Sequence, residues 1–123
     1  MTYDKNWIIR AAQAQKLETP PEVLELLAED HVTDVRFQVA DNPRTPATAL
    51  EKLANDKMVC IRYLVAKHVN TPVIALEKLA DDKSPAIRFI RFRIMKNPRT
   101  PERIKNYLMA QDYMERMSRW IMI

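Results

Sequence analysis

The stretch "ADNPRTPATALEKLANDK" (residues 40–57) sets two proline landmarks, Asn42-Pro43 and Thr45-Pro46, ahead of an apolar pattern at Leu50, Leu53 and Ala54. The phrase returns in altered form as "KHVNTPVIALEKLADDK" (67–83) and "KNPRTPERIKNYLMAQD" (96–112). Thr-Pro itself occurs at Thr19-Pro20, Thr45-Pro46, Thr71-Pro72 and Thr100-Pro101, at spacings of 26, 26 and 29 residues. Self-similarity with a period of about 20 to 50 residues marks a stacked, solenoid-like architecture.

Each Thr-Pro reads as a helix start. The threonine hydroxyl is suited to cap orphan amides, and proline at the first helical position gives up a donor that had no partner there. Glu22 stands three residues after Thr19, where a capping box would place it. Leu24, Leu27 and Ala28, then Leu50, Leu53 and Ala54, then Leu76, Leu79 and Ala80 follow at a one-sided helical spacing. A second element, "VRFQVADNPR", "IRYLVAKHVN" or "IRFRIMKNPR", completes each unit. Its apolar positions four apart predict another helix, ended at Asn42-Pro43 and Asn97-Pro98 because a residue before proline is pushed from helical ψ. Two helices in 26 residues are each too short to persist alone, so neighbours must stabilise them.

Composition narrows the chemistry. The 123 residues are 47% apolar and 29% charged, as expected of one folded domain. Glycine is absent, which argues against phosphate-cradling loops, the hydrolase nucleophile turn and tight β-hairpins. One cysteine, Cys60, forms no internal disulfide, and with no apolar leader or membrane-length segment the chain reads as cytoplasmic. Net charge is +4 overall. Residues 86–123 hold nine basic and three acidic residues, net +6, against eleven and thirteen, net −2, in residues 1–85. The basic third favours an acidic partner.

The pattern Asp-x5-Arg, Leu-x2-Leu-Ala and Asn-Pro-x-Thr-Pro, running from about Ile9 to Leu108, resembles the leucine-rich repeat variant family, a relative of HEAT-type helical repeats. The resemblance implies an all-α, right-handed solenoid in which a short α-helix alternates with a shorter one, α or 3₁₀. It also implies that Asp30 with Arg36, Asp56 with Arg62 and Asp82 with Arg88 form a structural ladder between loop and helix, through charge-assisted hydrogen bonds. Some members carry a cysteine-ligated iron–sulfur cluster, which the lone Cys60 does not support, so no cofactor is expected. The units are 19–44, 45–70 and 71–99, between an N-terminal capping half-repeat (1–18) plugged by Trp7 and a C-terminal capping helix (100–123). The methionines of that last helix suit either the cap or a partner.

The third unit departs from the others. Counting six residues forward from Asp82 puts the ladder arginine at Arg88, and counting nine back from Thr100 puts it at Arg91. Both hold if three residues are inserted, lengthening the second helix by almost a turn. That helix groups Phe89 and Phe92 with Arg91, Arg93 and Lys96, near Arg99 and Arg103. Phe37 and Tyr63 hold the corresponding place earlier, so these rings read first as a buried inter-repeat column and second as a binding surface. His31 and His68 lack partners at ligand spacing and read as surface or boundary residues; Cys60 reads as a small filler with no base beside it. No metal site and no catalytic group are nominated.

The sequence therefore points to a non-catalytic module that binds another protein. Nucleic-acid binding through Arg91, Arg93, Lys96, Arg99 and Arg103 is the alternative, since cations beside rings hold single strands. Self-association through apolar ends is a third reading. The HEAT-like DNA glycosylases are a remote analogy in repeat class and basicity only.

Overall fold

A computed structural model of the chain describes residues 4–121, so the outermost residues of both expected caps lie outside the described residues. Eight helices follow in order: α1 (Trp7–Gln15), α2 (Pro21–Leu27), α3 (Thr33–Asp41), α4 (Ala47–Leu53), α5 (Val59–Lys67), α6 (Val73–Ala80), α7 (Ile87–Lys96) and α8 (Glu102–Ile121). There is no strand among the described residues, and the all-α solenoid holds. Helices α1, α3, α5 and α7 stack in one layer and α2, α4, α6 and α8 in the other. Both helices of a unit are α. The shorter is the one after Thr-Pro, at seven or eight residues against nine or ten for its successor.

One apolar seam runs between the layers. Leu24, Leu27, Leu50, Leu53, Leu76 and Leu79 face Val35, Val39, Ile61, Val65, Ile90 and Ile94, all fully buried. Burying each such side chain contributes about 1.5 to 3 kcal/mol, which is what makes seven-residue helices persist.

The threonines act differently from the expected N-caps. The cap of α2, α4 and α6 is the proline itself, with no side-chain hydrogen bond, so the Thr19–Glu22 capping box does not form. The Pro46 carbonyl already accepts from Ala49 and Leu50, at 3.1 and 3.2 Å. Each threonine instead turns back and donates to a carbonyl in the last turn of the preceding helix. Thr19 bonds Gln13, Thr45 bonds Val39, Thr71 bonds Val65 and Thr100 bonds Ile94, at 2.5 to 2.6 Å. Standing one residue outside the helix it precedes, Thr serves the C-terminal carbonyls that helix geometry leaves short of donors.

A polar seam runs parallel to the core. Buried Asn42 donates to the carbonyls of Ala14 (2.7 Å) and Lys16 (2.9 Å), and buried Asn97 donates to Ala66 and His68 (2.9 Å each). His68 takes the same place in the middle unit and is buried rather than at the surface. Its Nδ1 accepts from the Asn70 amide at 3.0 Å, so Nε2 carries the hydrogen and donates to the Asn42 carbonyl at 2.7 Å. Burial pushes the imidazole pKa below its ordinary 6.5, against the opposing pull of the Asn42 carbonyl and the nearby Asp41.

The three extra residues are shared out. Helix α5 starts three residues after Asp56 and α7 five after Asp82, while α7 is one residue longer than α5. Two insertions sit in the loop and one in the helix, not the near-turn of helix expected.

Candidate functional site

The ladder arginines connect successive units. Arg10 Nε meets Asp30 at 2.7 Å, Arg36 Nε meets Asp56 at 2.7 Å and Arg62 Nε meets Asp82 at 2.6 Å, each twenty residues along the chain. The aspartate six residues earlier supplies only its backbone: Arg36 Nη1 donates to the Asp30 carbonyl at 2.9 Å and Arg62 Nη1 to Asp56 at 2.7 Å. Meanwhile Asp30, Asp56 and Asp82 each accept the amide two residues on, at 2.9 Å. Each guanidinium thus ties its own loop to the next unit's turn. Burial alone would raise the Asp82 carboxyl, but hydrogen bonds from Arg62 and Ser84 and the Arg62 charge outweigh it and hold the pKa below the ordinary 3.8.

Arg88 takes no part in this ladder. It is exposed, and among the described residues Asp82 pairs with Arg62 instead. Counting back from the end of the unit locates the structural equivalent, Arg91, whose Nη1 meets Glu115 of α8 at 2.8 Å. Its Nε, the atom that holds the aspartate in each earlier rung, is buried without an acceptor among the described residues. The insertion moved Arg88 out of register, and α8 supplies a carboxylate where a fourth aspartate would stand.

The remaining candidates for anion binding divide. Arg103 pairs with Glu77. Arg93 donates from Nε to the Tyr63 hydroxyl at 2.6 Å and lies over that ring, 5.2 Å from its centroid. Arg93 and Lys96 both approach the Phe92 ring, at 5.6 and 5.7 Å. Lys96 and Arg99 are exposed. Arg91 lines the groove between α7 and α8, and Arg103 lines a separate one beside Glu77 and Tyr107.

The aromatic column stops short. Phe37 and Tyr63 are half-buried against the core, whereas Phe89 and Phe92 are 68% and 54% exposed. Phe92 follows Arg91 as Phe37 follows Arg36, but among the described residues no unit covers it. Met95 stands where Ala14, Ala40 and Ala66 are buried in earlier units, so a regular next helix has no room for close approach. A groove of about 850 Å³ opens between α7 and α8, lined by Arg88, Phe89, Phe92, Met95, Met109 and Asp112 among others.

Helix α8 caps the stack only along its first turns, where Ile104 and Leu108 are buried. Tyr107 donates to Asp81 at 2.5 Å and helps fasten that end. Beyond it Tyr113, Met114, Met117 and Trp120 are exposed, the last at 77%. At the other end Trp7 is half uncovered rather than a plug, and Ile9 is 45% exposed although its equivalents Val35, Ile61 and Ile90 are fully buried.

Cys60 and His31 are exposed, contrary to the filler expected of the cysteine. Among the described residues no group of His, Cys, Asp and Glu could hold a metal ion, and no helix is long and apolar enough to cross a membrane.

The rung from Arg36 to Asp56 lies inside the segment that matches the leucine rich repeat variant family, residues 33–58. No curated protein and no solved structure matches the chain. The arginine rung, the backward-reaching threonine and the buried leucine pair recur in units on both sides of the matched segment. The chain is thus a helical-repeat solenoid whose residues 33–58 match the leucine rich repeat variant family.

Proposed function

We propose that the chain is a non-catalytic scaffold that binds another protein through the C-terminal end of its stack. One observation carries this reading: Phe89 and Phe92, with Met95 and Met109, line an open groove rimmed by Arg88, which meets no carboxylate among the described residues. Exposed aromatic and methionine surface beside a cation is the composition of interface centres. An apolar patch left bare at the end of a stacked array is also where association recovers hydrophobic burial.

The test is capture. The immobilised chain is expected to retain a polypeptide partner from cell extract, and Phe92→Asp to lose it while keeping its helical circular dichroism. Retention unchanged in Phe92→Asp would refute the site.

Nucleic-acid binding is the second reading, supported by Lys96 and Arg93 flanking the exposed Phe92 ring. Against it, Arg91 and Arg103 already hold carboxylates. Labelled single-stranded and duplex nucleic acid are expected not to bind at low salt. Binding that weakens linearly on a log–log salt plot and disappears in Lys96→Glu/Arg99→Glu would favour this alternative.

A further inference from the structure

Each rung of the ladder is a side-on pair. Arg10, Arg36 and Arg62 present Nε at 2.6 to 2.7 Å and Nη2 at 3.2 to 3.4 Å to the two carboxylate oxygens of Asp30, Asp56 and Asp82. Those aspartates stand eleven residues after Thr19, Thr45 and Thr71, in the turn that follows the first helix of a unit. Eleven residues after Thr100 the residue is Gln111, and no turn is there, because α8 runs on to Ile121. Arg91 therefore keeps its place in the ladder without its aspartate. Glu115, itself 44% exposed, meets Nη1 rather than Nε, and Nε stays buried with no acceptor among the described residues.

Arg91 is also part of the wall of the groove between α7 and α8, beside Phe89, Phe92, Met95 and Met109. The carboxylates nearby are already engaged: Asp112 meets Arg116 at 2.9 Å and Glu115 meets Arg91. Arg88 in the same groove meets no carboxylate among the described residues, and Arg93 and Lys96 lie by the Phe92 ring. The surplus is cationic, which favours an acidic occupant. Both walls are α-helices whose backbone groups bond internally, so the groove offers side chains and no sheet edge. A polypeptide lying there must satisfy its own backbone, and a helix does so. Methionines adapt to whatever apolar side chains it brings.

We infer that the groove takes an acidic amphipathic helix of a partner protein, with its apolar side chains on Phe89, Phe92 and Met109 and one carboxylate on Arg91 Nε, where the fourth rung is missing. This rests on the reading of the C-terminal end as a protein-binding face and names the chemistry of its occupant. Because Nε is buried, the carboxylate reaches it as Glu115 gives way, so Glu115 competes with the partner. No described residue of α8 beyond Leu108 is buried, so the far part of that helix can shift without opening the core.

Selection of a random-peptide phage library on the immobilised full chain, with depletion on Phe92→Asp, tests this. Recovered peptides are expected to carry apolar anchors at i, i+3 or i+4 and i+7 with an aspartate or glutamate beside them, and to gain helical circular dichroism on binding. Changing that acid to its amide is expected to weaken binding about ten- to a hundred-fold in fluorescence anisotropy. Arg91→Lys keeps the charge facing Glu115 but lacks the planar fork; it should lose a similar factor against the acidic peptide and little against the amide. Glu115→Gln should bind the acidic peptide more tightly than the wild type, a gain that misfolding does not produce. Peptides with no acidic preference, or peptides that bind Arg91→Lys as well as the wild type, overturn the inference. So does a single-stranded oligonucleotide that displaces the peptides and ignores Arg91→Lys, which assigns the groove to nucleic acid. Acid-free peptides that still require Phe92 sink this inference alone, whereas the absence of any peptide that requires Phe92 sinks the wider reading with it.

Discussion

Asp56 shows how much one side chain does in this architecture. It receives Arg36 from the preceding unit, accepts the Met58 amide and lends its carbonyl to Arg62. Removing it strands a guanidinium that is more than nine-tenths buried. Asp56→Ala is therefore expected to lower unfolding free energy by about 3 to 5 kcal/mol in urea titrations, most of it the cost of an uncompensated charge. His68 predicts a pH dependence. Its folded pKa lies below 6.5, so as pH falls the unfolded chain takes the proton first and folding loses ground. The contribution of His68 is full above about 6.5 and is lost as pH drops toward the folded value, whereas His68→Asn, which restores the residue of the neighbouring units, should flatten this window. Acid-side melts of the two proteins measure the difference. Asp82, depressed below 3.8, adds a later loss at still lower pH. Spacing made these residues legible as a set, because arginine, aspartate and threonine recur with the period. It did not reveal their partners: the contact from Arg36 to Asp56 spans twenty residues, and only the loop's position on the next unit brings the two together.

At the level of the helix, apolar spacing was a reliable guide and chain-end chemistry was not. Leu50 and Leu53 sit on the buried face their spacing predicts, and Leu50→Ala is expected to cost about 2 to 5 kcal/mol through lost transfer energy and the cavity left behind. The threonines looked like N-caps because Thr before Pro is common at helix starts. Here proline takes the cap position and the hydroxyl is free to reach backward. Thr71→Val keeps the volume and leaves the buried Val65 carbonyl with the His68 amide but without the hydroxyl, for an expected loss of about 0.5 to 1.5 kcal/mol by thermal or chemical unfolding. A true N-cap role would instead let Thr71→Asp preserve stability, and the backward bond predicts that it does not. The insertion in the third unit was visible as a conflict between two counting rules. Which rule named the ladder arginine depended on where the extra residues were absorbed, and the loop before α7 took two of them.

Across the whole molecule, stability is a sum over units and their interfaces. Deleting residues 45–70 removes one period and leaves Arg36 facing Asp82 at the native separation of twenty. The shortened chain is expected to fold helically and cooperatively, with a urea m-value lower by roughly one fifth, in proportion to the surface lost. A deletion out of phase, of 45–66, breaks the rung and the threonine bond together and should abolish the cooperative transition. The same additive logic explains the ends. Val35 and Ile61 of the interior units are fully buried while the equivalent Ile9 is half uncovered, and Phe92 is exposed where Phe37 and Tyr63 are half-buried, because no described unit stands against either.

The sequence alone determined that this is an array of short helices, how long its period is, and which leucines, valines and isoleucines form the core, since those properties follow from local periodicity. Tertiary structure alone decided which carboxylate each arginine meets, that His68 is buried as a stand-in for asparagine, and that the aromatic residues of the third unit face outward. The reason is physical. Periodicity reports which side of a helix is apolar, but exposure depends on whether another unit stands against that side, and the last unit of a stack shares its pattern with the others without sharing their neighbour.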